Sequence, residues 1–401
     1  MDAIANPFSP GAGSKPPELV GRDAILDDAK VLLGRAKAHR SAKNMILIGL
    51  RGVGKTVLLN ELQRRADKSG YCSLLEEARE NQGLAQLLAP ALRKVLLQLS
   101  TTANASDAVR RGLQVLRNFI GTFRVQMGDV SVAMNLAPLT GQADSGDLEA
   151  DLPDLFVAVA NAAASRDTVA AVMVDEIQYL SENELAALLV ALHKVQQQGL
   201  PLALIAAGLP VLPAMAGEAK SYAERLLVFP EVGPLNEAET ARALGEPARG
   251  AGANFTEDAM ELIYRQTQGY PYFVQEWGSA AWNIADGPDI TRDDVNRASA
   301  LVRGALDRNF FRVRFDRLTD SEKRFLWAMA KSQSAPVRTG QVAEKLKVKV
   351  SNLGPARAAL INKGMVYSPA HGELAFTVPL FGEFILRHAS DVGARARGTR
   401  L

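Results

Sequence analysis

A chain of 401 residues, 47% hydrophobic and 22% charged, is long enough for two or three domains and too apolar to be disordered throughout. Its net charge of only +2 gives no argument from bulk charge for a nucleic-acid partner. The single cysteine, Cys72, excludes internal disulfides and cysteine-rich metal sites, and fits a reducing compartment.

Met1–Lys15 has no cationic segment followed by an apolar one, so no secretory signal is expected. The most apolar stretch, Val157–Val174, is broken by Arg166 and Asp167. No membrane partner is expected, and a cytoplasmic location is the default.

Residues 1–17, rich in Pro, Gly, Ser and Ala, read as a flexible N-terminal arm. Ile25, Leu26, Ala29, Leu32 and Leu33 recur at helical spacing over Asp23–His39. Asn44–Ile48 is a short apolar run ending in a glycine-rich loop, and Val57–Lys68 predicts a helix. Tyr71–Leu75 is expected as a second strand, with helices near Gly83–Leu99 and Ala105–Phe123. Phe123–Leu136 alternates around Gly128–Asp129 and predicts a hairpin; Ala137–Asp151 reads as a loop. Leu152–Ser165 and Glu182–Gln198 are expected as helices. Val169–Val174 and Pro201–Ala206 are continuous apolar runs of the kind buried in a parallel sheet, and Leu226–Phe229 is expected as a last strand. Strands alternating with helices predict a three-layer α/β domain over residues 18–232.

Beyond Pro230 the β character stops. Asn236 and Glu239 form a capping-box pattern, and helices are expected at Thr256–Gln266, Tyr272–Ala285 and Thr291–Phe315. Residues 233–316 therefore read as a helical lid with a connecting helix. Residues 317–390 read as a winged helix: helices at Thr319–Lys331, Thr339–Leu346 and Asn352–Lys363, strands at Met365–Ser368 and Glu373–Thr377, and a final helix Leu380–His388. Arg395, Arg397 and Arg400 make residues 391–401 a basic tail. No internal repeat is present, which argues against a solenoid.

The chemistry is concentrated in one loop. Gly49-Leu50-Arg51-Gly52-Val53-Gly54-Lys55-Thr56 satisfies G-x4-G-K-[ST] between an apolar strand and a helix. The glycines let backbone N–H groups turn toward phosphate oxygens at the positive end of the following helix, which begins near Val57. Lys55 supplies a point charge to the β- and γ-phosphates, and the Thr56 hydroxyl is the expected Mg²⁺ ligand. Asp175 and Glu176 end the apolar strand Ala171–Val174. Asp175 is expected to hold Mg²⁺ through water, and Glu176 to polarise the attacking water. Arg225, near the last strand, is a candidate for stabilising transition-state charge on a neighbouring subunit's nucleotide.

Three further features carry a resemblance. Leu19-Val20-Gly21-Arg22-Asp23 resembles the h-h-G-R-[DE] turn of AAA+ initiator-type and STAND ATPases, which packs near the adenine in those families. Asp175-Glu176-Ile177-Gln178 is similar to their strand-end motif, and Gly269-Tyr270-Pro271 resembles the G-x-P motif whose proline lies near the nucleotide. The resemblance spans residues 18–390 and implies an ATP/ADP-binding, Mg²⁺-dependent ATPase that forms nucleotide-dependent homo-oligomers. Two features depart from it. Ala206-Ala207-Gly208 offers no polar sensor, and Gly269-Tyr270-Pro271 stands where initiator ATPases commonly carry a sensor arginine. Both favour a slow, nucleotide-held switch.

Residues 316–401 hold about twice as many Lys and Arg as Asp and Glu. Lys347, Lys349, Ser351, Asn352, Arg357 and Lys363 are candidate contacts to duplex DNA, with Leu353, Leu360 and Ile361 turned to the core. In STAND ATPases such a domain also packs on protein, so a signalling or scaffold switch with a protein partner stands beside the DNA reading. A nucleotide-binding structural subunit without turnover is a third. Tyr272, Phe273 and Trp277 at helical spacing are expected in a core. His39, His193, His371 and His388 lack metal-ligand spacing.

Overall fold

The computed structural model describes residues 1–11, 16, 18–100, 106–125, 139–332, 336–370 and 372–388. It divides into two compact units. One comprises Arg22–Gly49 with Lys55–Val232, and the other Met1–Gly21, Leu50–Gly54 and Gly233–Leu401.

The first unit is a three-layer α/β sandwich. Its elements are α1 (Asp23–Lys37), β1 (Asn44–Ile48), α2 (Lys55–Lys68), β2 (Cys72–Glu77), α3 (Leu84–Ser100), α4 (Asp107–Thr122), α5 (Leu148–Ala164) and β3 (Ala170–Asp175). There follow α6 (Glu182–Gln197), β4 (Leu202–Gly208), α7 (Leu212–Ala219), α8 (Ala223–Leu226) and β5 (Leu227–Val228). The five strands are parallel in the order β2-β3-β4-β1-β5. Every residue of β3 and β4 is buried, the physical reason their sequences are unbroken apolar runs rather than alternating ones. Asn44 is buried at the start of β1, and its side chain accepts the Leu204 N–H at 2.7 Å, locking β1 against β4. Ser181 and Glu184 close a capping box that starts α6 just beyond the end of β3. The hairpin expected around Gly128–Asp129 lies outside the described residues.

This strand order fixes where chemistry can occur. The chain leaves β1, crosses to the edge at β2, and returns through β3 and β4 to lie beside β1 again. The crevice outside the carboxyl ends of strands at such a reversal is where open α/β sheets bind ligands. The phosphate-loop motif follows β1, and Asp175 ends β3.

The second unit is mainly helical. It contains α9 (Glu237–Gly250), β6 (Asn254–Phe255), α10 (Glu257–Thr267), α11 (Pro271–Ile284), β7 (Asp289–Ile290) and α12 (Arg292–Leu306). β6 and β7 pair in parallel, two residues each. The capping box of Asn236 and Glu239 is formed as the sequence predicts. The helix expected over Thr291–Phe315 is interrupted: after α12 a π-helical turn, Asp307–Phe311, precedes α13 (Arg312–Phe315). Phe311 and Phe315 are buried; Phe311 stacks on Phe381 of α17 (Phe381–Arg387) and tilts against Phe384, which Phe315 meets edge-on, an apolar seam that tolerates the irregular turn. Truncating Phe311 would cost about 3–5 kcal/mol, the usual range for a buried aromatic. Trp277 is fully buried, its indole N–H shared between Gln266 and Ser299, so it is core as expected.

The segment read as an arm is packed. Phe8 is buried edge-to-face on Phe255, Asn6 donates to Ser279 and Asn283 of α11, and the Asp2 carbonyl accepts from Trp282. Pro and Gly content signalled irregular backbone correctly but could not report these distant partners.

The remaining elements are α14 (Asp320–Ala330), β8 (Val337–Arg338), α15 (Thr339–Leu346), α16 (Gly354–Asn362), β9 (Val366–Tyr367) and β10 (Glu373–Phe376), with a 3-10 turn at Val350–Leu353. The strands form an antiparallel sheet in the order β8-β10-β9. Pro355 falls in the first turn of α16, where its missing N–H is tolerated. Among the described residues no helix is long and apolar enough to cross a membrane.

Candidate functional site

In the sheet unit the two ends of the site are tied to neighbouring strands. The Gly49 N–H donates to the Gly208 carbonyl at 3.1 Å, joining the start of the loop to the end of β4. Lys55 opens α2; it is buried, and its ammonium donates to the Gly49 carbonyl at 2.9 Å. The Thr56 hydroxyl donates to Asp175 Oδ2 at 2.6 Å, so α2 and β3 meet through one charge-assisted bond. Asp175 is only 5% exposed and makes no ion pair among the described residues. Burial pushes its carboxyl above the ordinary range, against the opposing pull of the Thr56 hydroxyl.

The hydroxyl of an exposed threonine beside a buried carboxylate suits Mg²⁺, which takes one or two protein oxygens and completes its shell with water and phosphate. Thr56 and Asp175 are thus brought together as the sequence predicted. No group of three or more His, Cys, Asp or Glu residues suited to a metal exists among the described residues.

Glu176 adopts a left-handed conformation, φ 52° and ψ 37°, unusual for a residue with a side chain. Its N–H is held by Asp175 Oδ1 at 2.8 Å, and its carboxylate accepts from the Gln178 side-chain amide. Gln178 Oε1 in turn accepts the Leu209 N–H at 3.2 Å, just past the end of β4. A Cβ on Gly208 would collide with that amide oxygen and lie 2.5 Å from Leu212 Cδ1. Gln178 is a site residue to which the sequence reading gave no role. Where β4 offers no polar side chain, Gln178 supplies an amide from the turn after β3. The signal lay in the Asp-Glu-x-Gln spacing together with a glycine at the end of β4.

The tip of the loop, Leu50–Gly54, groups with the second unit. Arg51 Nη1 donates to the Lys363 carbonyl at 3.2 Å. Gly52 has φ +83°, and a Cβ there would meet Tyr270 Oη at 2.8 Å, so both backbone and space require glycine. Val53 is buried, and Gly54 has φ +97°. Pro271 occupies the first position of α11, and Val20 is buried in the same unit. In the sheet unit Arg22 is buried at the start of α1, and Val57 lies half-buried in α2.

The other candidates fare differently. Arg225 is exposed on α8, its side chain without hydrogen bond or ion pair among the described residues. Lys347, Lys349, Ser351 and Asn352 are exposed on the segment between α15 and α16. Leu353 and Leu360 are buried as expected. Arg357 is half-buried and donates to Ser368 Oγ at 3.1 Å. Lys363 is already engaged: its ammonium donates to both carboxylate oxygens of Glu322 at 2.9 Å, with its side chain 38% exposed.

The chain is similar to known proteins over most of its length. Residues 18–205 match the family model described as AAA ATPase domain. Residues 308–385 match a second model, described as a domain of unknown function, DUF8462. A curated relative from Methanocaldococcus jannaschii, named an uncharacterized HTH-type transcriptional regulator, is 24% identical over 363 residues, 88% of this chain and 84% of the relative. Among solved structures, the Walker-type ATPase of Pyrococcus abyssi superposes with a TM-score of 0.58 at 14% identity, covering 93% of this chain and 97% of that one. The Aeropyrum pernix Orc1 protein, solved in complex with DNA, aligns at 16% identity over 95% of each chain with a TM-score of 0.44.

Proposed function

We propose that the chain is a slow, Mg²⁺-dependent ATP-hydrolysing switch whose C-terminal region, from α14 to α17, is a winged-helix output domain acting on or near DNA. The observation that carries the ATPase reading is the convergence of Thr56 and Asp175 beside Lys55, at the strand ends of an AAA ATPase domain. Lys55 exchanges the Gly49 carbonyl for phosphate oxygens when ATP seats on the loop. Mg²⁺ would supply Lewis-acid neutralisation of phosphate charge, held by the Thr56 hydroxyl and, through water, by Asp175. Glu176 orients the attacking water and takes its proton. To do so its carboxylate must leave the Gln178 amide, which makes Gln178 a brake on turnover. Arg225 is exposed, as a residue serving a neighbouring copy in a homo-oligomer must be.

The DNA reading draws on the exposed Lys347, Lys349 and Asn352, and on a relative named as an HTH-type regulator. A protein-contacting output, as in STAND ATPases, gains from the ion pair of Lys363 with Glu322, and from Val348 and Val350 standing exposed on either side of Lys349. A cytoplasmic setting suits either reading.

Steady-state ATP hydrolysis with and without duplex DNA, beside Glu176→Gln, tests both levels. Stimulation by DNA that falls steeply with salt, and is lost in Lys347→Ala/Lys349→Ala, is the expected result. Hydrolysis indifferent to DNA moves the output to a protein partner. Absence of hydrolysis despite tight ATP binding leaves a structural nucleotide-binding subunit.

A further inference from the structure

Residues 1–9 form no helix or strand, yet they follow α11 in antiparallel order. The Asp2 carbonyl accepts from Trp282 Nε1 at 2.9 Å. Asn6 Nδ2 donates to Ser279 Oγ at 3.1 Å and to Asn283 Oδ1 at 2.9 Å, and the Ser9 N–H donates to Gln275 Oε1 at 3.2 Å. Gln275, Ser279 and Trp282 stand at i, i+4 and i+7, on one face of the helix. Of residues 1–9 only Phe8 has a buried side chain, and Ile4 is exposed.

The Phe8 ring is fitted to a gap in α11. It packs edge-to-face on Phe255 of β6, with centroids 6.0 Å apart. A Cβ on Gly278 would stand 2.9 Å from Phe8 Cδ1 and 3.1 Å from Cδ2 of Leu244 on α9. Gly278 is buried within α11, where glycine is unfavourable relative to alanine. The space that the Phe8 ring occupies is the physical reason for a glycine there.

One ring and a few hydrogen bonds are set against the conformational freedom of the whole segment. These opposing contributions are of similar size, so docking is a close balance. Further along the chain, Gly21, with φ +71°, lies against α9: a Cβ there would be 2.5 Å from Glu239 Oε1. That anchor holds the segment near its seat whether or not Phe8 is docked, so each return is an intramolecular event. All of these residues belong to one compact unit.

We propose that residues 1–9 are a releasable strap, in which Phe8 enters and leaves a seat formed by Gly278, Leu244 and Phe255 while the rest of the helical unit stays folded. The strap is a tethered ligand of α11, and its departure uncovers the apolar seat.

Two measurements on the full chain test the strap. In a double-mutant cycle, Gly278→Ala should lower the melting temperature by about 2–4 °C when Phe8 is present, because the added methyl evicts the ring. In Phe8→Ala the same change should leave the melting temperature unchanged or raise it, since the methyl then fills vacated space and helix propensity favours alanine. Gly278→Ala that raises the melting temperature in both backgrounds, or lowers it equally in both, overturns the fit. Chymotrypsin cleaves after Phe8 only when the ring has left its seat. In native buffer that cut should come before any within the helical unit, at a rate that low urea leaves unchanged, and about tenfold faster in Gly278→Ala. A cut that accelerates with urea as steeply as global unfolding overturns release. A cut as fast as in the free peptide of residues 1–11 overturns docking. The wild-type digestion needs no variant, so it decides the matter even if Gly278→Ala does not fold.

Discussion

Asp175 and Glu322 are carboxylates buried to nearly the same depth, 5% and 4% exposed, one in each compact unit, yet their surroundings drive them in opposite directions. Around Asp175, burial dominates and lifts its pKa; the Thr56 hydroxyl, the Glu176 N–H and the positive charge of Lys55 oppose it without reversing it. Around Glu322, burial would do the same, but Lys363 and the Thr319 N–H outweigh it and hold the carboxyl below its ordinary range. Glu322 is also the capping residue of α14, accepting the Thr319 N–H at 2.7 Å. A carboxylate that serves the fold comes with its own cation. One whose burial is only partly offset, as we propose for the Mg²⁺ ligand Asp175, leaves the protein without ligand less stable than it could be.

The contrast can be broken at either end. The largest effect is expected from Glu176→Gln beside Asp175: ATP affinity kept within a few-fold, and phosphate release slowed by about 10²–10⁴. Equal turnover would mean that the strand-end pair is not catalytic. Next, Lys363→Ala should cost about 1–3 kcal/mol in urea unfolding, by leaving Glu322 buried without its cation. ATP affinity should change little if that pair serves the fold alone.

Asp175→Asn probes the opposite sign. The folded pKa of Asp175 lies above its unfolded value, so its contribution to stability is present at acid pH and lost as pH rises through the raised value. At neutral pH the asparagine variant should therefore melt about 2–4 °C higher without ligand, while losing the Mg²⁺-dependent part of its stabilisation by ATP. A lower melting temperature would place Asp175 with Glu322 as a fold residue. For Glu322, lowered instead, the contribution holds above the unfolded pKa and disappears as pH falls through the folded one. Glu322→Gln should thus flatten the acid limb of a melting-temperature profile.

The smallest effect is expected for Gln178→Ala, which frees Glu176 and should change phosphate release by about two- to fivefold with ATP affinity unchanged. An increase identifies a brake; a decrease means that Gln178 aligns the carboxylate.

Much of the sheet unit was legible because burial on both faces leaves an unambiguous trace: Ala170–Asp175 and Leu202–Gly208 are apolar without interruption. The loop Gly49–Thr56 and the strand-end Asp175 were legible because the motif and its strand–loop–helix setting are local in sequence. What escaped was non-local. Gln178 was read as part of a motif, yet its role depends on Gly208 and Leu209, which only strand pairing brings near. Phe8 became core through Phe255, and Lys363 lost its freedom to Glu322; neither partner is implied by local pattern. Two-residue strands such as Asn254–Phe255 are too short for any period to register.

The π turn at Asp307–Phe311 escaped for a different reason: an extra residue leaves composition and polarity untouched. Its consequence is one of phase. A π turn is an α-helix carrying one residue more than its hydrogen-bond ladder accommodates, and each residue advances a helix by about 100°. Asp307–Phe311 therefore acts as a fixed angular offset between Arg292–Leu306 and Arg312–Phe315. Removing a single residue from the turn would let the α ladder run through and swing the azimuth of every later side chain, Phe315 included, by about 100°. The direction in which Phe315 points is thus keyed by a count of residues rather than by their identity.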